Sequence, residues 1–327
     1  MIIKRISFSF TILLASVFLF QAVAQQDFSR MPNEPTYFFN PLAINPAYAG
    51  SRDVVSLTGI LRKQALFSQN GGAGSEYFSI DAPIANDKIG LGFQAFNNST
   101  SQASVGFIGS AAYRYFVGEE GVISVGVQGG VYQMLSSGIN AGNQFKGAFG
   151  VGVFYRDFNK YVGIGLPTLS SLKSEALSTT GSFVSVSLPK PIYLSAGYLY
   201  EVTEDLAVKG GIVARTFLGT SSGQMATALD FNAMVWYRQK YGVGLNLMNT
   251  GSDVNGSKAF VISAEYQISP KMRFGYGYDA KGNNGLGTQT TNPLTGSISN
   301  VGQGLHYLML RLEFDSGNGR IDNFRYF

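Results

Sequence analysis

"KMRFGYGYDA", residues 271–280, decides the fold. Met272, Phe274, Tyr276 and Tyr278 alternate with Arg273, Gly275, Gly277 and Asp279, so an extended chain presents one apolar face and one small or charged face. A helix would scatter the same residues around its circumference. The period of two recurs in "KIGLGFQAF" (88–96), where Ile89, Leu91, Phe93 and Ala95 oppose Lys88, Gly90, Gly92 and Gln94. It recurs again in "YGVGLNLMNT" (241–250), where Tyr241, Val243, Leu245 and Leu247 oppose Gly242, Gly244 and Asn246.

Segments of this kind begin near Val54, Ser75, Lys88, Ala103, Gly121, Lys146, Lys160, Pro189, Asp205, Gln224, Tyr241, Ala259, Lys271 and Gly304, fourteen in all. The connections between them fall into two kinds. "APIAND", "VGEE", "RDFN", "VTE", "RQK" and "ISP" are short; "FSQNGGAG", "NNSTSQ", "LSSGINAGNQF", "LGTSSG", "NTGSDVNGS" and the stretches beginning "TLSSLK" and "KGNNGL" are mostly longer. The two kinds alternate strictly along the chain. An up-and-down meander gives that alternation, because successive turns fall on opposite rims, and an even strand number with short turns on one side marks outer-membrane barrels. Closure follows from the solvent, since hydrocarbon satisfies no backbone group and a closed ladder leaves no edge. The fold class expected is therefore all-β, a transmembrane up-and-down antiparallel β-barrel of about fourteen strands spanning 53–314. A soluble β-sandwich also alternates, but its Greek-key crossings do not sort loops by length.

Apolar faces then meet lipid, and Arg114, Lys209, Arg215, Asp230, Asn232, Arg238, Glu265, Arg273, Asp279, Arg311 and Glu313 are expected to point into the lumen. Tyr113, Tyr115, Tyr155, Tyr198, Tyr200, Tyr237 and Tyr278 cluster near strand ends, as interfacial girdles do.

Lys4 and Arg5 precede an apolar run from Ile6 to Phe20 and the small-residue triplet Ala22-Val23-Ala24. This is the pattern of a secretory signal peptide, residues 1–24, with cleavage expected after Ala24. The chain holds no Cys, which excludes disulfides, thiolate metal sites and a lipid anchor on cysteine. Its 24 basic residues nearly balance its 20 acidic ones, more closely still without Lys4 and Arg5, so no nucleic-acid surface is expected.

Chemistry-bearing motifs are sparse. The single histidine, His306, reads as a structural residue. "GTSSG" (219–223) has the form of a nucleophile elbow, and Ser221, Asp253 and His306 run in hydrolase order, but the elbow needs a strand-turn-helix and this is a small-residue loop. The G-x-G pairs Gly90/Gly92, Gly150/Gly152, Gly163/Gly165, Gly242/Gly244 and Gly275/Gly277 lack the following helix of a nucleotide loop; they read as space left inside a barrel. No metal-ligand spacing occurs. Neither enzymatic activity nor a cofactor is expected.

One segment asks for more than a strand leader. "NEPTYFFNPLAINPAYAGSRD" (33–53) is too apolar to stand free and too Pro-rich for a strand, since each Pro lacks a donor and constrains its predecessor. Within the N-terminal stretch 25–52, expected on the periplasmic side, it either plugs the barrel mouth or presents Tyr37, Phe38, Phe39, Asn40, Pro41, Asn45, Pro46, Tyr48 and Gly50 to a partner. Residues 315–327 form a tail on the same side.

At these residues the sequence resembles the PorP/SprF family of type IX secretion system membrane proteins of Bacteroidetes. Asn40-Pro41, Asn45-Pro46, Ala47, Tyr48, Ala49, Gly50 and Ser51 match the family hallmark together with "NDKIGLG", and "MRFGYGYDA" and the closing "RYF" match more weakly. The resemblance implies an outer-membrane barrel serving type IX secretion or gliding motility. Its implied partners are periplasmic ring or peptidoglycan-linked components and a secreted adhesin-like cargo with a C-terminal sorting domain, with outer-membrane lipid around it. A passive diffusion channel is the rival reading of the same barrel.

Overall fold

The computed structural model describes residues 36–64, 66, 74–98, 103–134, 144–170, 173–177, 183–187, 190–218, 227–249, 258–279, 288–291, 298–301 and 304–315. The expected signal peptide, Ser221, Asp253 and all but the first residue of the tail lie outside them.

The strands run in chain order as β1 (Val55–Gln64), β2 (Gly74–Ile84), β3 (Ile89–Asn98), β4 (Ala103–Val117), β5 (Gly121–Met134), β6 (Gln144–Arg156), β7 (Lys160–Leu166), β8 (Lys173–Leu177), β9 (Phe183–Ser187), β10 (Lys190–Thr203), β11 (Leu206–Leu218), β12 (Thr227–Tyr237), β13 (Tyr241–Asn249), β14 (Lys258–Ser269), β15 (Met272–Asp279), β16 (Thr288–Thr291), β17 (Ile298–Val301) and β18 (Leu305–Phe314). Fourteen of them form one closed antiparallel barrel, every neighbour consecutive except where a hairpin intervenes. Its seam is the pairing of β1 with β18, unbroken from Val55 against Phe314 to Gln64 against Leu305. The two longest loops each carry a small hairpin outside the barrel, β8 with β9 and β16 with β17. "TQTT" and "ISNV" of β16 and β17 offer no apolar face to alternate, whereas "FVSVS" of β9 does alternate, inside a stretch that loop length reads as one long connection.

The short turns require backbone that most residues avoid. Ala85, Asn86 and Asp87 between β2 and β3, and Arg238 and Gln239 between β12 and β13, all have φ between 51° and 63°, the left-handed geometry whose twist suits tight hairpins. Arg238 therefore does not enter the lumen as the alternation implied: it leaves the strand at the turn and pairs at 3.2 Å with Asp205, both largely exposed. The other charged positions expected inside do face inward; Arg114, Arg215, Asp230, Arg273 and Asp279 are almost wholly buried.

The outer wall carries Phe78, Leu91, Phe93, Phe107, Val127, Phe149, Val153 and Val243 on successive strands, all exposed. A continuous apolar surface of that extent belongs in hydrocarbon. The interior has two layers. Toward the long-loop rim, Tyr77, Phe96, Tyr132, Met134, Tyr193, Val213, Met248, Val261, Leu305 and Tyr307 point inward and pack together. This layer departs from the polar lumen expected. Toward the short-turn rim the lumen carries Arg114, Glu265, Arg273, Arg311 and Glu313, while the Arg215–Asp230 pair and Asp279 lie among the aromatics of the other half.

Candidate functional site

Residues 36–53 do not stand below the barrel; they run inside it. Tyr37 donates to Asp230 Oδ2 at 2.5 Å, near the start of β12 and so in the long-loop half. Asp53 pairs with Arg114 and with Arg156, the last residue of β6, at the short-turn rim. Between these anchors the chain makes two single 3₁₀ turns, Pro41–Ala43 and Pro46–Tyr48. Each begins with a proline, whose fixed φ suits the first position and whose missing N–H would be unpaired there anyway. Asn45 caps the second turn, accepting from the Ala47 N–H at 3.0 Å. The Asn-Pro punctuation thus folds eleven residues into a compact knot.

Wall side chains and carbonyls bond to polar groups along the length of this knot. Gln94 Nε2 donates to the Leu42 carbonyl at 3.1 Å. The Gly50 N–H donates to Asp81 Oδ2 at 2.9 Å. Asn45 Nδ2 donates to the Val153 carbonyl at 3.0 Å, and Arg311 Nη2 donates to the Phe39 carbonyl. Arg52 Nε donates to Glu313 Oε1 at 2.8 Å. A buried segment without such partners would lose the desolvation cost of every unpaired group, about 1–3 kcal/mol each.

Apolar contacts complete the fit. Tyr37 and Phe39 join the upper layer, Phe38 meets Tyr307 edge-on at 5.7 Å, and Leu42, Ala47, Tyr48 and Ala49 pack on Ala112 and Phe154. The wall glycines are the matching seat. A Cβ on Gly90 would lie 1.9 Å from the Ala49 carbonyl oxygen, and one on Gly165 2.0 Å from that of Ile44. A Cβ on Gly126 would lie 2.4 Å from the Ala47 nitrogen, and one on Gly152 2.1 Å from Asn45 Oδ1. Gly50 itself adopts φ +71° with its Cβ direction against the Gly90 Cα at 2.9 Å, so neither residue can carry a side chain.

The electrostatics hold the two ends. Burial alone would raise the Asp53 carboxyl, but Arg156 and Arg114 outweigh it and keep the group below its usual value. Burial, then Asp230, push the Tyr37 phenol well above its usual value, so it stays protonated and donates. Burial disfavours charge on Arg52, but Glu313 and Tyr48 more than offset it.

Of the residues singled out from sequence, Tyr37, Phe39, Asn40, Asn45, Pro46, Tyr48 and Gly50 are buried in the lumen, while Phe38 and Pro41 are partly exposed. The structure brings all nine together, as a plug rather than an outward face. Asp81, Gln94, Arg156 and Asp53 were not singled out, yet they hold the knot. His306 accepts or donates at Nδ1 to Tyr276 Oη at 2.9 Å on the outer wall, a structural contact.

No curated protein matches the chain. Among solved structures it is similar to a Pseudomonas aeruginosa FadL homologue, with 13% identity, TM-score 0.46, and 88% of this chain and 95% of that one covered. A TodX mutant monoaromatic hydrocarbon channel gives 11%, 0.44, 90% and 97%, and the KdgM porin 13%, 0.38, 80% and 99%. The family model described as type IX secretion system membrane protein PorP/SprF matches residues 27–295. With the hallmark knot seated in a closed barrel and that match spanning most of its length, the chain belongs to the PorP/SprF family.

Proposed function

We propose that the protein is a closed outer-membrane scaffold of the type IX secretion and gliding apparatus. It bridges periplasmic ring or peptidoglycan-linked components, engaged at the short-turn rim, and exported adhesin-like proteins with C-terminal sorting domains, engaged by the long loops. The observation that carries this reading is the occupied lumen: residues 37–53 fill it from the aromatic layer to the rim and bond to six or more wall strands. A barrel built to pass solutes keeps its lumen open or gated by loops. In this reading the knot closes the barrel, and the partner face is the rim of short turns that carries Lys88, Glu119, Glu120, Lys160, Arg238 and Lys240.

Two measurements test it together. Affinity purification of the full chain from native membranes should recover periplasmic type IX components, and the pure protein in planar bilayers should pass almost no current. Steady ion conductance by the unaltered protein, with no machinery recovered, would favour a passive diffusion channel instead.

A further inference from the structure

Between the knot and the wall of β11 to β18 lies a cavity of about 70 Å³. Arg52, Lys209, Arg273 and Arg311 line it, with Glu265 and the side-chain amides of Asn232 and Asn246. Glu265 is engaged by Arg273 at 3.3 Å and Glu313 by Arg52 at 2.6 Å. Arg311 donates to neutral groups, Thr58 Oγ1 at 3.1 Å and the Phe39 carbonyl. The register then adds a second observation. Arg273 of β15 stands directly opposite Arg311 of β18, on the inner face of the same ladder, a placement of like charges that is unfavourable without a counter-charge between them. Arg311 is thus a buried guanidinium whose own bonds go to neutral groups, and a buried charge left without its counter-charge is costly.

We propose that this cavity is an anion site holding one monovalent ion of halide size between Arg311, Arg273 and Lys209, with the Asn232 and Asn246 amides as further donors. A water needs about 10–15 Å³ of cavity volume, so there is room for the ion and one or two of its waters, and none for a larger solute. The ion ties three wall strands to one another and, through Arg52, to the knot. The site does not depend on the scaffold reading: an empty cavity would leave that reading intact.

Bromide replaces the ion as a probe. Crystals of the full chain grown in bromide should show an anomalous peak inside the cavity, beside Arg311. In detergent, the unfolding midpoint should rise saturably by a few degrees as bromide replaces gluconate at constant ionic strength, gluconate being too large to enter. That rise should vanish in Arg311→Met and shrink in Lys209→Met. A cavity without anomalous density, or a bromide response unchanged in Arg311→Met, overturns the proposal; if neither variant folds, the anomalous map of the unaltered protein decides alone.

Discussion

Asp53 sits at the hinge between knot and barrel with φ 60°, a conformation in which Asp and Asn are enriched among non-glycine residues. That turn aims its carboxylate between Arg114 and Arg156, while the neighbouring Arg52 ties the segment to Glu313 of β18. Asp53→Asn leaves two guanidinium groups without their counter-charge, and we expect it to loosen the knot's exit by about 3 kcal/mol, read as faster proteolysis near residue 53. The pH dependence has a definite sign. The folded carboxyl titrates below its usual 3.8, so the clamp contributes fully above that value and is lost as pH falls through the lower folded value. Intact protein should lose part of its resistance as pH falls below about 3.8, whereas Asp53→Asn should show none of that acid step; a variant with the same step below about pH 4 as the parent would contradict the assignment. Gly90 offers a second probe, because its inner face meets the Ala49 backbone rather than a movable side chain. Gly90→Val should weaken seating by about 1–3 kcal/mol and produce channel openings, while Gly59→Ala, with nothing within 4 Å, should leave the barrel silent.

The knot is an element in its own right, with its own turns, caps and apolar face, and it is joined to the barrel by side-chain bonds rather than by a strand ladder. Its contacts are therefore separable from wall assembly. A chain lacking 37–50 should still insert and resist heat in detergent, yet conduct, because the Tyr37 and Phe39 rings no longer fill the centre of the aromatic layer. A synthetic peptide of residues 36–54 added from the short-turn side should suppress that current; persistent current at saturating peptide would mean that the knot seats only during folding. The sequence made this element visible but not its place. Asn-Pro repeats and aromatics marked it as docked, and alternation at Gly90/Gly92 and Gly163/Gly165 marked space inside the wall, but only the closed register brings those glycines round one knot. The aromatic layer was illegible for a related reason. In β2, Tyr77 and Phe78 are neighbours of opposite parity, one inward and one toward lipid, so the apolar pattern no longer says which face is which. Runs where both parities are apolar near the long-loop ends are the signal that could have found it.

For the whole molecule the strongest asymmetry is between its rims. Tyr113, Tyr115, Tyr198, Tyr200, Tyr237, Tyr241 and Tyr266 all stand on the outer wall near the short turns, and Tyr278 is at the opposite end. Lys240 lies 5.8 Å and 5.6 Å from the stacked rings of Tyr241 and Tyr266, and Arg238 lies 5.2 Å from Tyr237. Amphipathic rings with cations above them belong at a headgroup boundary, which fixes the depth of this rim in the bilayer. Barrels of this class carry short periplasmic turns and longer extracellular loops, so the scaffold reading places this rim at the periplasmic leaflet. The absence of cysteine from the chain makes this directly measurable with single labels. A cysteine in place of Glu119, on the β4–β5 turn, should resist a membrane-impermeant maleimide on intact cells and react after the outer membrane is permeabilised. One in place of Ser136, in the loop before β6, should react on intact cells. The reverse pattern would put the rim carrying Asp53 and the knot's exit on the cell surface, and with it the face that the scaffold reading assigns to periplasmic machinery.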